Sequence, residues 1–169
     1  MTLEHPVAVR APRSLAEAAE AHLDDVLGYL LYLTRDRETA EDLTSATFEK
    51  ALRLWGRFDA TRGSARTWLL GIARTTALDW FRAETRRRKR EEAAALPERV
   101  DEAFAEGLSP ALEAALAALS AGEREVLALR VVLELDGDAT ARVLGISTTA
   151  VSTRLSRALK RLEERVNEE

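Results

Sequence analysis

The chain contains no cysteine, which excludes disulfides and thiolate metal sites. Its two histidines, His5 and His22, stand far apart with no ligand spacing around them, so no metal centre is expected. Aromatic residues make up only 5% of the 169 positions, while Ala, Leu, Arg and Glu dominate, a balance that favours helix over sheet. The few glycines are not gathered into a phosphate-cradling loop, and there is no serine elbow. Adjacent acids such as Glu41-Asp42 and Glu163-Glu164 point in different directions from a helix and do not converge on a substrate. These residues hold no catalytic constellation and no cofactor motif, so the chain is read as a non-enzyme without cofactors. Also missing is any apolar run long enough for a signal peptide or a membrane span, which predicts a cytoplasmic protein with no membrane insertion.

What is present is enough apolar sequence for packed cores and a very uneven distribution of charge. The net charge of −4 argues against indiscriminate nucleic-acid binding, but the local pattern matters more than the sum. Residues 1–13 carry no structural pattern and are expected to be a disordered tail. Ser14 followed by Glu17 is a capping-box pattern for a helix over 15–34, with Leu15, Ala19, Leu23, Val26, Leu27, Leu30 and Leu33 at helical spacing. A second helix runs from near Asp36 to about Trp55, with Ala40, Leu43, Phe48, Leu52 and Trp55 expected inside. Gly56 and Gly63 bracket a polar loop, and Ser64 opens a long third helix in which Trp68 is expected to be buried. That helix ends in RAETRRRKR, six cations against one acid. The sign then reverses: residues 91–106 hold six acids and one cation, broken by Pro97, and residues 91–108 read as an acidic linker at a domain boundary. Ser109-Pro110 is a strong helix start, and Ser120 with Glu123 makes a second capping box that opens AGEREVLALRVVLEL. The expected architecture is all-α, two small helical domains over 14–90 and 109–169 joined by the acidic linker.

The most informative stretch is Asp136 to Arg161. Asp136 can cap a short helix, Gly145 falls where that helix must end in the left-handed region, and Ser147 can cap the next one. The second helix presents Thr148, Thr149, Ser152, Thr153, Arg154, Arg157, Lys160 and Arg161 with no acid before Glu163. A short helix, a glycine turn and a basic, hydroxyl-bearing helix suit entry into a DNA major groove. A helical hairpin with a solvated basic face is the competing reading. Upstream, Trp68, Trp80 and Phe81 share an element with Arg66, Arg74, Arg82 and the run Arg86, Arg87, Arg88, Lys89, Arg90. Aromatics interleaved with cations can stack unpaired bases while gripping phosphates. The competing reading here is an exposed helix end whose cations complement the helix dipole.

The run TRDRETAEDLTSATFEKALRLWGRFDATRGSARTWLLGIARTTALDWFRAETRRRKR resembles region 2 of the extracytoplasmic-function sigma factors of bacterial RNA polymerase. The later LSAGEREVLALRVVLELDGDATARVLGISTTAVSTRLSRALKRLEE is similar to their region 4. The resemblance covers roughly residues 15–165, with both halves in the family's order. It implies promoter-specific transcription initiation, with core RNA polymerase as partner through the clamp of its largest subunit and the flap of its second largest. Glu41, Asp42, Leu43, Ser45, Phe48 and Glu49 would lie on the clamp-docking segment. Asp59, Arg62, Ser64, Arg66, Arg74, Thr75, Trp80, Arg82, Arg86 and Arg87 would read and melt the −10 element. Ser147, Thr148, Thr149, Ser152, Thr153, Arg154, Arg157 and Lys160 would read the −35 duplex. An anti-sigma factor is a further partner common in the family.

The chain departs from the family pattern at several points. Ser45-Ala46 stands where a Gln-Glu pair is usual, and Thr75 where asparagine is usual. Gly137 and Thr140 replace an aromatic and an isoleucine, Ser152 a basic residue and Leu159 an arginine. Two other functions stay open on sequence grounds. One is a stand-alone helix-turn-helix regulator that binds duplex without polymerase. The other is an interaction protein that titrates a partner through the clamp-like face.

Overall fold

The computed structural model describes residues 10–92 and 109–167, and among them every regular element is helical. In chain order these are α1 (Leu15–Thr34), α2 (Arg37–Leu54), a 3-10 turn (Trp55–Arg57), α3 (Ala65–Glu92), α4 (Pro110–Ala117), α5 (Ala121–Leu127), a π turn (Ala128–Val132), α6 (Gly137–Leu144) and α7 (Thr148–Asn167). The predicted tail lies mostly, and the predicted acidic linker almost wholly, outside the described residues; Glu91 and Glu92 instead extend α3.

The starts of the helices follow from local chemistry. The first backbone N–H groups of a helix have no carbonyl one turn earlier, and short polar side chains supply the missing acceptor. Ser14 accepts from the N–H of Glu17 at 3.2 Å, Asp36 from Thr39 at 2.9 Å and Ser64 from Thr67 at 3.1 Å. In the second half, Ser109 accepts from Leu112 at 3.3 Å, Asp136 from Ala139 at 2.7 Å and Ser147 from Ala150 at 3.1 Å. Ser120 and Glu123 form the full reciprocal box: the Ser120 hydroxyl accepts from the Glu123 N–H at 3.3 Å, and the Glu123 carboxylate accepts from the Ser120 N–H at 2.9 Å. Gly145 adopts φ 65° and closes α6, as its place in the sequence predicts. Arg35 closes α1 in the same region at φ 57° without being glycine.

One segment departs from expectation. The stretch read as a single helix from Ser120 onward is α5 followed by a π turn, ended by Glu134 at φ 54°. The Leu133 N–H reaches back to the Ala128 carbonyl at 2.9 Å, and the Leu135 N–H to the Leu129 carbonyl at 2.8 Å. The widened turn places Ala128 and Leu129 inside while Val131 and Val132 stay more than half exposed. Two consecutive β-branched residues also disfavour continuing the regular helix.

A continuous buried cluster runs through both halves. It takes Val26, Tyr29 and Leu30 from α1, Leu43 and Ala51 from α2, and Leu69, Leu70, Ala73 and Ala77 from α3. It continues through Val126, Leu129, Ala139, Val143 and Leu144 to Val151 on α7. A satellite cluster of Leu119, Leu127 and Ala158 ties α4 and α5 to α7. Helical spacing correctly places Val26, Leu30, Ala40 and Leu43 inside and fails at other positions. Leu52 is 69% exposed and Leu23 is 44% exposed, whereas Tyr29 is wholly buried. Trp68 is half-buried at the edge of the cluster.

Thr140 occupies a scaffold position of α6 with no exposed surface, and its hydroxyl has no hydrogen-bond partner among the described residues. A buried hydroxyl without a partner loses its hydration with nothing in return. Thr140→Val, which keeps the shape and removes the hydroxyl, is expected to raise unfolding stability by about 1 kcal/mol in urea titrations.

Candidate nucleic-acid interface

Helix α7 sorts its residues cleanly. Val151 and Ala158 are buried, with Leu155 and Leu162 packed beside them, which fixes the helix against α4, α5 and α6. The opposite face carries Ser147, Thr148, Thr149, Ser152, Thr153, Arg157 and Lys160, all exposed. Arg154 sits at the border, its guanidinium beside Gly122 at the start of α5, and makes no ion pair among the described residues. Ser152 and Thr153 turn their hydroxyls onto the carbonyls of Thr148 and Thr149, at 3.1 and 2.9 Å. Their acceptor lone pairs remain free for a base edge. Arg161, also on this helix, is tied to Glu123 at 3.0 Å, and Lys160 lies 3.8 Å from Glu164.

Glu123 therefore serves two elements, capping α5 and anchoring α7. Its carboxyl is held below the ordinary glutamate range, first by the Ser120 N–H and hydroxyl, then by the charges of Arg161 and Arg157. A depressed folded-state pKa contributes stability that is full above the unfolded value and is lost as pH falls through the folded one. As pH falls below the ordinary glutamate range, acid melting should thus be steeper for the native chain than for Glu123→Gln, measured as melting temperature against pH.

The second candidate surface lies around the loop between α2 and α3. Trp55 stacks on Phe58 with centroids 5.0 Å apart, and Trp68 meets both, edge-on to Trp55 at 5.7 Å and tilted against Phe58 at 5.4 Å. This three-ring group carries the loop on the first turn of α3. Asp59 accepts from the Thr61 N–H at 2.9 Å and from its hydroxyl at 2.6 Å, a turn-forming arrangement that also draws its carboxyl below the ordinary aspartate range. The loop borders a cleft of about 380 Å³ lined by Phe58, Asp59, Arg62, Ser64, Trp68 and Thr75 on this half, with Arg142 of α6 at its rim.

Further along α3 the basic end is partly self-neutralised. Glu84 accepts from Arg87 at 2.6 Å and Arg88 at 3.2 Å, and Arg87 also bonds Glu91 at 3.1 Å. Arg82 is paired with Asp79 at 3.2 Å. Arg86, Lys89 and Arg90 make no ion pair among the described residues and face solvent. Trp80 and Phe81 pack edge-on at 5.0 Å, half-buried.

Two expected DNA contacts are engaged elsewhere. Arg66 donates to Asp25 at 2.6 Å and to the Leu133 carbonyl at 2.6 Å, and Arg74 donates to Glu125 at 2.8 and 3.4 Å. Sequence reasoning missed all three acceptors, because no periodicity links residues 41, 51 or 67 positions apart. The clamp-type face of α2 presents Glu41, Asp42, Ser45 and Glu49 to solvent and Phe48 half-buried, whereas Leu43 points into the core. Glu41 is paired with Arg37 at 2.9 Å.

The fold and surfaces define a class: an all-helical protein with a helix-turn-helix module and a second module combining an aromatic-backed loop with a basic helix. Residues 18–87 match the family Sigma-70 region 2, and residues 109–162 match Sigma-70, region 4. The chain is 36% identical over 150 residues to the ECF RNA polymerase sigma factor SigC of Mycobacterium tuberculosis, covering 86% of this chain and 80% of that one. It is 29% identical over 164 residues to the ECF RNA polymerase sigma factor SigX of Bacillus subtilis, covering 86% and 79%. In fold it is similar to the sigma factor RpoE of Bartonella quintana, solved with the anti-sigma factor NepR, at a TM-score of 0.75, 22% identity and coverage of 90% and 96%. The chain belongs to the extracytoplasmic-function sigma factors of RNA polymerase, and its function is that of a sigma factor in transcription initiation.

Proposed function

We propose that the two surfaces divide promoter recognition between them. The exposed face of α7, from Ser147 to Lys160, enters the major groove of the −35 duplex, where arginine favours guanine edges and hydroxyls serve either partner. The loop at Asp59–Ser64 and the adjoining side of α3 take up unpaired bases of the −10 element, while Arg82, Arg86 and Arg87 grip the backbone. Extruding a base costs a few kcal/mol, which a cleft backed by three aromatic rings can return. The polar face of α2, with Glu41, Asp42, Ser45, Phe48 and Glu49, docks on the clamp of the polymerase largest subunit, and the C-terminal module engages the flap of the second largest. Leu43 supports that face from inside. The two modules are assigned to 14–90 and 109–169, in the family's order.

The observation that carries this reading is the cation- and hydroxyl-bearing face of α7, left free by the core, on the same chain as an aromatic-backed cleft beside a basic helix end. The protein acts in the cytoplasm, carries no catalytic group of its own and leaves the chemistry to the polymerase. Family membership supports an anti-sigma factor as its controlling partner.

The test is purified protein with core polymerase on candidate promoters, read by run-off transcription and permanganate footprinting. Promoter-specific transcripts with reactive thymines support the proposal. Duplex binding without polymerase, and no bubble with it, would sink it in favour of a stand-alone regulator. Within α7, Arg154→Ala should reduce discrimination among −35 sequences by about 1–3 kcal/mol. An equal loss on all sequences would make Arg154 a phosphate contact instead.

A further inference from the structure

The second turn of α7 carries hydroxyls whose protons are already committed. Ser152 donates to the Thr148 carbonyl at 3.1 Å and Thr153 to the Thr149 carbonyl at 2.9 Å, while both side chains stay exposed. Thr148 and Thr149, one turn earlier, make no such bond among the described residues. The difference follows from position in the helix. A hydroxyl in the body of a helix has a carbonyl four residues back, on the turn toward which its own side chain leans. Thr148 opens the helix, so four residues behind Thr148 and Thr149 lie Leu144 and Gly145, in the preceding helix and its cap. First-turn hydroxyls therefore rotate freely, and second-turn hydroxyls do not.

A free hydroxyl serves a donor or an acceptor, but one that has given its proton to the backbone offers only lone pairs. In the major groove the base-edge donors are amino groups, N6 of adenine and N4 of cytosine. Guanine presents O6 and N7 instead, and thymine presents O4 and a methyl group. An acceptor-only side chain meets adenine or cytosine with a hydrogen bond, and meets the oxygen of guanine or thymine with facing lone pairs. To donate to such an oxygen, Thr153 must first break its 2.9 Å bond to the Thr149 carbonyl. The difference is one neutral hydrogen bond, roughly a fivefold change in affinity. Thr153 is the better placed of the two hydroxyls. It follows the buried Val151 by two residues and so lies about 200° around the helix from the core.

We propose that Thr153 is a specificity-determining residue that selects an amino base, adenine or cytosine, at one position of the −35 duplex and rejects guanine and thymine there. Ser152 imposes the same polarity beside it, whereas Thr148 and Thr149 impose none. This rests on the assignment of α7 to the −35 major groove.

The test is binding-site selection with the full-length chain on core polymerase, using promoter duplexes randomised across the −35 element. The native chain should enrich adenine and cytosine over guanine and thymine about fivefold at one position. Thr153→Val, which keeps the shape and removes the acceptor, should abolish that preference at that position and no other. Thr153→Lys, a donor with no acceptor, should turn the preference toward guanine or thymine. With adenine placed at the position, its replacement by purine, which lacks the 6-amino group, should weaken native binding about fivefold and leave Thr153→Val unaffected. An amino preference that persists in Thr153→Val, or equal losses on purine in both proteins, overturns the proposal while leaving α7 in the groove. A native selection that enriches no −35 sequence overturns the assignment of α7 and the proposal with it.

Discussion

Truncating Leu129 to alanine will destabilise the whole chain by about 2–5 kcal/mol in urea unfolding. Leu129 has no exposed surface and sits in the π turn, one of the elements through which the C-terminal half touches α1. Its cavity would open in the cluster that also contains Val26, Tyr29, Leu69 and Leu70 from the N-terminal half. The consequence is long-range: all three tryptophans, Trp55, Trp68 and Trp80, lie in the N-terminal half, yet their fluorescence transition should move with the transition in helix content. Its neighbour Val131 is 55% exposed, so Val131→Ala should shift stability by no more than about 0.5 kcal/mol. If Leu129→Ala leaves the tryptophan transition in place while part of the helix signal melts early, the two halves unfold independently and the shared cluster is not a cooperative unit.

How far this architecture was legible in the sequence depends on the range of the interaction. Helix starts at Ser14, Asp36, Ser64, Ser109, Ser120, Asp136 and Ser147 were readable because a cap and the N–H it satisfies lie three residues apart. Gly145 was readable because a left-handed residue after an apolar run is nearly always glycine. Arg35 and Glu134 take the same conformation with no such signal, and Glu134 ends a turn whose extra residue per hydrogen bond leaves no trace in periodicity. Of the residues proposed to face DNA, those of α7 lie away from the core as amphipathic spacing predicts, since that spacing separates Val151 and Ala158 from the cations. Arg66 and Arg74 were assigned to DNA by resemblance, and their present acceptors, Asp25, Leu133 and Glu125, come from packing between elements distant in sequence. Tyr29 was missed for a related reason: its hydroxyl is tolerable inside only because Glu125 arrives from the other half to accept it. Its own hydroxyl stays protonated far into alkaline pH, since burial and then the Glu125 charge push its pKa well up.

Trp68→Ala will remove promoter opening more completely than any single loop substitution, with open-complex formation down about a hundredfold and −35 duplex binding unchanged. Trp68 is the ring that meets both Trp55 and Phe58, and the two contacts hold the Phe58–Ser64 stretch against the first turn of α3. Truncating a tryptophan in such a setting costs about 3 kcal/mol, the lower end of the range because the ring is half-buried. Much of that loss falls on loop placement, because the neighbouring α3 residues Leu69 and Leu70 remain fully buried and keep the helix in register. Extruding a base costs a few kcal/mol, and a displaced loop no longer returns it; about 2.8 kcal/mol corresponds to the hundredfold loss. Permanganate reactivity of promoter thymines measures opening, and a −35 duplex shift assay measures α7 separately. Trp68→Phe, which restores a ring against Phe58, should recover most of the opening. Normal thymine reactivity in Trp68→Ala, with the protein folded, would remove the aromatic group from the melting mechanism and leave the basic end of α3 to carry it alone.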